Sequence, residues 1–178
     1  DGGAIFTDDE GLAGKMRKIA NHGQSGRYYH DIVGCNSRLD TLQAAVLNIK
    51  LPKLDEYIRA RQAAAAAYSA AFGSHPRITV PAIAPYSSHV FHQYTLKLDG
   101  VDRNRLNQYL AEQGIPSMIY YPVPAHRQKM FQGMMAGNPD LPVTDWLTER
   151  VISLPMHTEL DNDQLEHIIK HVLAFVSK

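Results

Sequence analysis

The stretch GCNSRLDTLQAAV, residues 34–46, decides the fold that the sequence predicts. Its second half predicts a helix, because apolar residues recur there at helical spacing. Asp40 and Gln43 have the spacing of a capping box at the start of that helix. The first half is unusual, because Asn36 and Arg38 stand directly before the point where the helix is expected to enter the core.

Asn36 and Arg38 have two interpretations. An Asn and an Arg before a helix N-terminus favour a site for phosphate or carboxylate, because unpaired backbone N–H groups and a guanidinium point the same way. Alternatively, Asn36 caps the helix and Arg38 pairs with a nearby carboxylate. Spacing alone leaves both interpretations open.

Toward the N-terminus, residues 1–7 read as a turn followed by a short strand at 4–7. The natural polypeptide is expected to extend upstream, since this predicted strand follows almost directly after the first residue. Residues 24–38 predict a loop of about fifteen residues rich in Tyr, His and Arg. Loops of this length in compact domains are often functional.

Toward the C-terminus, helices and strands alternate. Helices are predicted at 53–72, 102–113 and 145–151, with strands at 89–98 and 115–121. A final amphipathic helix is expected to be capped by Asp161 and Gln164. This order predicts a small α/β lobe with its helices packed on one face of a sheet.

Composition excludes several classes of protein. The 178 residues carry 18 basic and 18 acidic side chains, so no overall field would hold the chain on nucleic acid or an anionic membrane. No apolar run is long enough to span a bilayer, so membrane insertion is not expected. Cys35 is the single cysteine, which excludes an internal disulfide and fits a reducing compartment, so a cytoplasmic location is expected.

Motifs for metal, hydrolytic and phosphate-loop chemistry are weak. His89 and His92 would face opposite sides of a strand, and His167 with His171 lacks a third ligand at the required spacing, so no metal site is expected. No nucleophile elbow, Walker phosphate loop or dinucleotide fingerprint appears. The polar and aromatic groups of residues 24–38 and of YYPVPAH, residues 120–126, remain as candidates.

The whole chain resembles the DegT/StrS-type sugar aminotransferases, which use pyridoxal phosphate (PLP) and transaminate nucleotide-linked keto-sugars. Within the family it is most similar to the enzymes of the UDP-2-acetamido-2-deoxy-3-oxo-glucuronate aminotransferase type. The combination of GxNSRLD and SLPMH is the specific signal. Similar stretches occur in the family in the same order: DGGAIFTDDE, NHGQSGRYYHD, GCNSRLDTLQAAVL, LDEYIRARQ, YYPVPAH and SLPMHTELDNDQ.

The resemblance implies a fold type I, aspartate aminotransferase-like α/β enzyme that forms a homodimer with a shared active site. Residues 1–50 would end the large cofactor-binding domain and carry the substrate loop, and 51–178 would form the small C-terminal α/β domain. Asn36 matches the family's Asn that reaches the cofactor phosphate across the dimer. Arg38 matches an Arg near the same site.

The remaining candidate residues are implied to bind substrate. Arg27, Tyr28 and His30 lie in the family's loop beside the substrate. Tyr121 matches the Tyr of a His-Tyr-Pro stretch beside the nucleotide sugar, and His126 matches a His shortly after it. Position 120 is Tyr where many members have His, so a hydrogen bond assigned to that His does not transfer.

The resemblance assigns no catalytic residue to this chain. In the family, the lysine that forms a Schiff base with the cofactor lies about ten residues before the DGG turn, so we expect it upstream of Asp1. The intact enzyme would transfer an amino group, with glutamate as the expected donor, in surface-polysaccharide or related sugar biosynthesis. The chain alone is expected to be inactive and not to retain the cofactor. The alternative is a non-catalytic α/β module that binds a nucleotide sugar or a partner subunit.

Overall fold

The computed structural model describes residues 3–131, 133–134, 137 and 139–178. The chain divides into two compact units, Asp1–Leu54 and Asp55–Lys178. Each unit has its own helices and its own antiparallel strands. In the part of the chain that is described, no helix is long and apolar enough to cross a membrane.

The N-terminal unit contains two helices and a small hairpin. Helix α1 spans Glu10–Ala20, strands β1 and β2 span Gln24–Gly26 and Tyr29–His30, and helix α2 spans Thr41–Lys50. A 3₁₀ turn at Leu51–Lys53 follows. The expected fifteen-residue loop is therefore organised around a hairpin, whose two strands pair antiparallel.

Two expectations for this unit are wrong. Residues 4–7 form no strand, and Ile5 and Phe6 are 77% and 90% exposed, with no partner strand among the residues described. Asp1 and Gly2 of the predicted turn lie outside the described residues. Asp40 is the N-cap residue of α2, but its side chain makes no capping hydrogen bond, so the predicted capping box does not form.

The C-terminal unit is built on a three-stranded antiparallel sheet in the order β3-β4-β5. The strands span Ile78–Thr79, Tyr94–Leu98 and Val151–Leu154. Tyr94 pairs with Leu154 and Leu96 with Ile152, which fixes the register of the two longer strands. The helices of this unit are α3 (Leu54–Phe72), α4 (Arg103–Glu112), α5 (Pro142–Thr148) and α6 (Asn162–Val176). Helix α3 begins at Leu54, the last residue of the N-terminal unit.

One face of this sheet carries the hydrophobic core. Alternate residues of β4 point to it, because side chains of a strand alternate between the two faces, and Tyr94, Leu96 and Leu98 are at most 1% exposed. Helices α3, α4 and α6 cover this face with apolar side chains. Their fully or largely buried residues include Tyr68, Phe72, Leu106, Leu110, Ile168, Val172 and Val176.

The opposite face of the sheet also makes side-chain contacts. Thr95 and Ser153 share a hydrogen bond of 2.8 Å there. The ring of Trp146, on α5, lies over Lys97 with 5.3 Å between the ammonium nitrogen and the ring centroid. The expected packing of helices on one face therefore holds for three helices, while the short α5 contacts the other side.

Element boundaries follow local chemistry in some places and tertiary pairing in others. Asp161 and Gln164 form the predicted capping box of α6. The predicted strand at 115–121 is reduced to an isolated bridge between Met118 and Ser153. Strand β5 was not predicted as a strand, and residues 89–93 of the predicted strand lie outside β4.

Candidate functional site

Residues 34–37 are held in an extended conformation against the C-terminal end of α1. The amide of Cys35 donates to the carbonyl of Ile19 at 2.8 Å, and the amide of Ser37 donates to that of Ala20 at 2.9 Å. Asn36 forms an antiparallel bridge with Asn21. The backbone that carries Asn36 is therefore fixed by a short ladder rather than being a free loop.

Two glycines make this close approach possible. Gly23 has a φ of +74°, a conformation that strains other residues, and a Cβ atom there would overlap the carbonyl oxygen of Ile32. A Cβ atom at Gly34 would collide with the backbone of Gly23 and Ile19. Glycine at both positions is thus a steric requirement for placing Asn36 beside α1.

Asn36 and Arg38 form a coupled pair. The Nε of Arg38 donates to Oδ1 of Asn36 at 2.9 Å, and both residues are exposed. Because the amide oxygen accepts from the guanidinium, the amide nitrogen of Asn36 remains available as a donor. The terminal nitrogens of Arg38 are donors as well. The pair therefore suits an oxyanion, such as a phosphate or a carboxylate, which accepts several hydrogen bonds at once.

The hairpin carries the other N-terminal candidates. Arg27 stacks over the ring of Tyr28 at 5.1 Å and donates to its hydroxyl at 3.2 Å. Tyr28 has a φ of +69° and is 76% exposed, so the two side chains form a projecting tip. The Nδ1 of His30 lies 2.9 Å from the carbonyl oxygen of His22, so this nitrogen donates to that carbonyl.

The base of the hairpin is fixed by charge. The ammonium group of Lys18 lies 3.1 Å from the carboxylate of Asp31. A hydrogen bond from Ser25, followed by that from Lys18, holds the pKa of Asp31 below its usual value. The amide of Asp31 also donates to the carbonyl of Gly23 at 3.0 Å. The hairpin is therefore tied to α1 at its base and exposed at its tip.

In the C-terminal unit, Tyr121 lies at a cleft of about 310 Å³. Its side chain is 69% exposed, and its ring meets that of Tyr120 edge-on with 5.6 Å between centroids. The cleft also has the hydroxyl-bearing residues Thr144 and Thr148 in its lining, with an apolar contribution from Leu147. Such a mixture of aromatic rings and hydroxyl groups can contact both the C–H faces and the hydroxyls of a sugar.

His126 is placed differently from the other candidates. Its side chain is only 5% exposed, and its Nε2 lies 3.2 Å from Oδ1 of Asp145, off the line of a good hydrogen bond. Arg127 donates to the other oxygen of Asp145 at 2.7 Å. That bond is the main cause that holds the pKa of Asp145 below its usual value. His126 therefore lies within the protein beside an ionised carboxylate.

The two units thus bring different candidates together. Asn36 contacts Arg38, Arg27 contacts Tyr28, and His126 contacts Asp145. Asp145 was not identified from the sequence, because eighteen residues separate it from Arg127 and no local motif links the two. Within the described residues, no group of three or more His, Cys, Asp or Glu side chains could hold a metal ion.

The sequence matches the DegT/DnrJ/EryC1/StrS aminotransferase family over residues 1–173. The chain belongs to this family. Its α/β fold, predicted from the sequence, is confirmed as that of the family. The chain spans about half the length of the curated relatives that it matches.

Named members of the family are similar to this chain. It is 42% identical over 168 residues to the UDP-2-acetamido-2-deoxy-3-oxo-D-glucuronate aminotransferase of Pseudomonas aeruginosa, covering 94% of this chain and 45% of the relative. The structure of S. venezuelae DesV in complex with a ketimine intermediate superposes with a TM-score of 0.89 and 34% identity, over 97% of this chain and 46% of DesV.

A third member supplies information on the cofactor. NtdA from Bacillus subtilis, solved with bound cofactor PMP, superposes with a TM-score of 0.87 at 25% identity, over 97% of this chain and 41% of NtdA. PMP is the amine form of pyridoxal phosphate, the cofactor of the family. Its phosphate is the kind of oxyanion that the donors of Asn36 and Arg38 suit, so the residues present fit this group.

Proposed function

We propose that the chain is part of a PLP-dependent aminotransferase that transfers an amino group from glutamate to a nucleotide-linked keto-sugar. The family match over residues 1–173 is the observation that carries this proposal. The identity to the P. aeruginosa enzyme supports a UDP-linked 3-keto-sugar as the acceptor. We place the reaction in surface-polysaccharide or related sugar biosynthesis in the cytoplasm, where the free Cys35 would stay reduced.

In this proposal, Asn36 binds the phosphate of the cofactor through its amide nitrogen. The support is the bond from Arg38, which orients the amide, and the ladder to α1, which fixes the backbone. Arg38 is proposed to bind an anionic or polar part of the substrate with its terminal nitrogens. Arg27, Tyr28 and His30 are proposed to line the approach of the substrate, since they form an exposed tip on a tied base.

In the C-terminal unit, Tyr121 is proposed to contact the nucleotide sugar. Its exposure and its place at the cleft support this role. His126 was predicted to contact the substrate as well, but its ring is buried beside Asp145. We therefore propose that His126 contributes by supporting the wall of the cleft. Tyr120, the departure from the family's His, supplies an aromatic ring at that wall.

Bound pyridoxal phosphate would supply the electron-withdrawing group on which transamination depends. The residues of this chain bind and orient the reactants around it. None of them is proposed as the lysine that bonds the cofactor. Lys18, for example, is paired with Asp31, and Lys97 lies over Trp146. We infer that the chain alone does not transaminate, and that the intact enzyme supplies the lysine.

We also propose a homodimer, with an active site shared between its subunits. No hydrophobic side chain described in the N-terminal unit is buried. The apolar residues of α2 are notably exposed, with Leu42 at 82%, Ile49 at 73% and Val46 at 55%. Contiguous exposed apolar surface of this kind marks an interaction site.

The test uses the intact enzyme, with the two half-reactions followed separately by the absorbance of the cofactor. Glutamate should convert the bound cofactor to its amine form, and a UDP-linked 3-keto-sugar should return it with formation of an amino sugar. Asn36→Ala should weaken cofactor retention while leaving the circular dichroism spectrum unchanged. Binding of the nucleotide sugar with neither half-reaction would contradict the proposal and favour a non-catalytic binding module.

A further inference from the structure

The cleft at Tyr121 has two walls that are far apart in sequence. Residues 120–125 form one wall, with Tyr120, Tyr121, Pro124 and Ala125 in the lining. Helix α5 forms the other, with Thr144, Leu147 and Thr148. The first wall continues directly into the 3₁₀ turn Ala125–Arg127. The width of the cleft therefore depends on what joins this turn to α5.

Asp145 makes that connection. It lies on α5, between the lining residues Thr144 and Leu147. Its carboxylate accepts hydrogen bonds from Nη2 and Nε of Arg127 at 2.7 and 3.4 Å, and its Oδ1 also lies 3.2 Å from Nε2 of His126. Three contacts from two consecutive residues of the turn thus meet on one side chain of the opposite wall.

The arrangement has the features of a clamp rather than of an isolated surface ion pair. Arg127 approaches with two nitrogens, a geometry that fixes direction as well as distance. The His126 side chain beside the carboxylate is only 5% exposed, whereas that of Asp145 is 34% exposed. The buried Nε2 of His126 has no hydrogen-bond partner of good geometry among the described residues, and Oδ1 of Asp145 lies 3.2 Å from it.

We propose that Asp145 is a positioning residue: by holding Arg127 and His126 it fixes residues 120–125 against α5 and sets the width of the cleft that receives the sugar of the substrate. This inference rests on the proposed function, in which Tyr121 contacts the nucleotide sugar. Asp145 itself does not line the cleft, so it acts through the residues that it holds. Its loss should affect the sugar acceptor and spare the amino donor.

The main experiment compares Asp145→Asn with the wild-type intact enzyme. The amide keeps the shape of the carboxylate but removes the charge that Arg127 binds. We expect the KM for the UDP-linked keto-sugar to rise about tenfold, as loss of one charge-assisted contact would give. The half-reaction with glutamate should keep its rate within about twofold. Asp99→Asn, at an exposed acid directly after β4, is the matched control and should change neither.

A second measurement on the same preparations tests the clamp without relying on catalysis. The amides of Arg127 and Gln128 donate to the carbonyls of Pro124 and Ala125, so their hydrogen exchange reports on the turn. Asp145→Asn should accelerate exchange at these two amides and leave that of Leu96 unchanged.

The outcomes separate the two proposals. An unchanged KM for the keto-sugar, or an equal loss in both half-reactions, would overturn the positioning role. If the wild-type enzyme catalyses neither half-reaction, the proposed function fails on its own account. In that case hydrogen exchange alone tests the clamp, and unchanged exchange at the amides of Arg127 and Gln128 in Asp145→Asn would overturn it.

Discussion

The Nε of Arg38 donates to Oδ1 of Asn36 at 2.9 Å, and this bond leaves the amide nitrogen of Asn36 available as a donor. The alternative in which Asn36 caps the helix is wrong, because the N-cap residue of α2 is Asp40. Arg38 pairs with Asn36 rather than with a carboxylate among the described residues. The pairing orients a donor for an oxyanion while using only one nitrogen of the guanidinium.

A double-mutant cycle should reveal this coupling. In the intact enzyme, Asn36→Ala and Arg38→Ala should each weaken the binding of pyridoxal phosphate, by about tenfold for loss of one charge-assisted contact. The double variant should lose less than the sum of the two free energies, because Arg38 acts partly through Asn36. Equilibrium dialysis of the cofactor measures the three dissociation constants. Asn48→Ala, at an exposed site on α2, is the control, and strictly additive losses would contradict the coupling.

Gly34→Ala should disrupt the placement of Asn36. The added methyl group would meet the backbone of Gly23 and Ile19, which cannot move aside as a flexible side chain could. We expect faster hydrogen exchange at Cys35 and Ser37 and weaker cofactor retention in the intact enzyme. Gly14→Ala, in α1 with open space around it, should be neutral or stabilising by about 0.5–1 kcal/mol. Equal behaviour of the two variants would contradict the steric argument.

Tyr68→Phe should destabilise the C-terminal unit. The hydroxyl of Tyr68 donates to the carbonyl of Pro155 at 3.0 Å from a fully buried ring. Burial raises the pKa of this hydroxyl, which keeps it protonated as a donor. Its removal should lower the free energy of unfolding by about 1 kcal/mol, measured by urea denaturation. Tyr86→Phe, at a side chain that is 91% exposed, should have no effect.

Acid should destabilise the protein through His171. Burial, followed by the charges of His167 and Lys170, lowers the pKa of this imidazole below its ordinary value of 6.5. As the pH falls through that value, the unfolded chain takes up a proton before the folded chain does, so stability decreases. At higher pH, the contribution of His171 to the free energy of unfolding is constant. The neutral ring is bonded to the hydroxyl of Tyr109 at 2.8 Å.

The measurement is the free energy of unfolding between about pH 5 and 8, where an unperturbed histidine titrates. His171→Gln should flatten the profile by removing the titrating group. His92→Gln, at an exposed histidine, is the control and should keep the wild-type slope. A wild-type slope in His171→Gln would refute the assignment.

Self-association of the chain should depend on α2. Leu42 is 82% exposed and Val46 is 55% exposed on this helix. We expect sedimentation to show species larger than the 19.9 kDa monomer, and the combined change Leu42→Lys and Val46→Lys to shift them toward the monomer. Ile83→Lys, at a 57% exposed position of the C-terminal unit, should not. A monomeric wild-type chain would contradict the proposed interaction surface.

Local patterns predicted the long helices well. The helix predicted at 53–72 is observed at Leu54–Phe72, and the strand predicted at 89–98 is observed over Tyr94–Leu98. These elements carry their signal in spacing and capping, which are local. The strand predicted at residues 4–7 is wrong, because a strand needs a partner that a local pattern does not show.

The same difference between local patterns and tertiary contacts applies to the residues of the candidate site. Asn36 and Arg38 were found because they are two residues apart and stand before a helix. Asp145 was missed because its contacts with His126 and Arg127 depend on how residues 120–127 turn toward α5. The burial of His126 was equally invisible to spacing, since an exposed and a buried histidine can follow the same motif.

The antiparallel core of the C-terminal unit also constrains when it can form during translation. Strand β4 lies between β3 and β5, and β5 is synthesised more than fifty residues after β4. The buried face of β4 is completed by Leu165, Ile168, Val172 and Val176 of α6, which leave the ribosome later still. Until α6 has emerged, the apolar side chains of α3 and β4 lack their cover. The unit should therefore become protease-resistant only after that point, while nascent chains stalled before β5 should bind holdase chaperones.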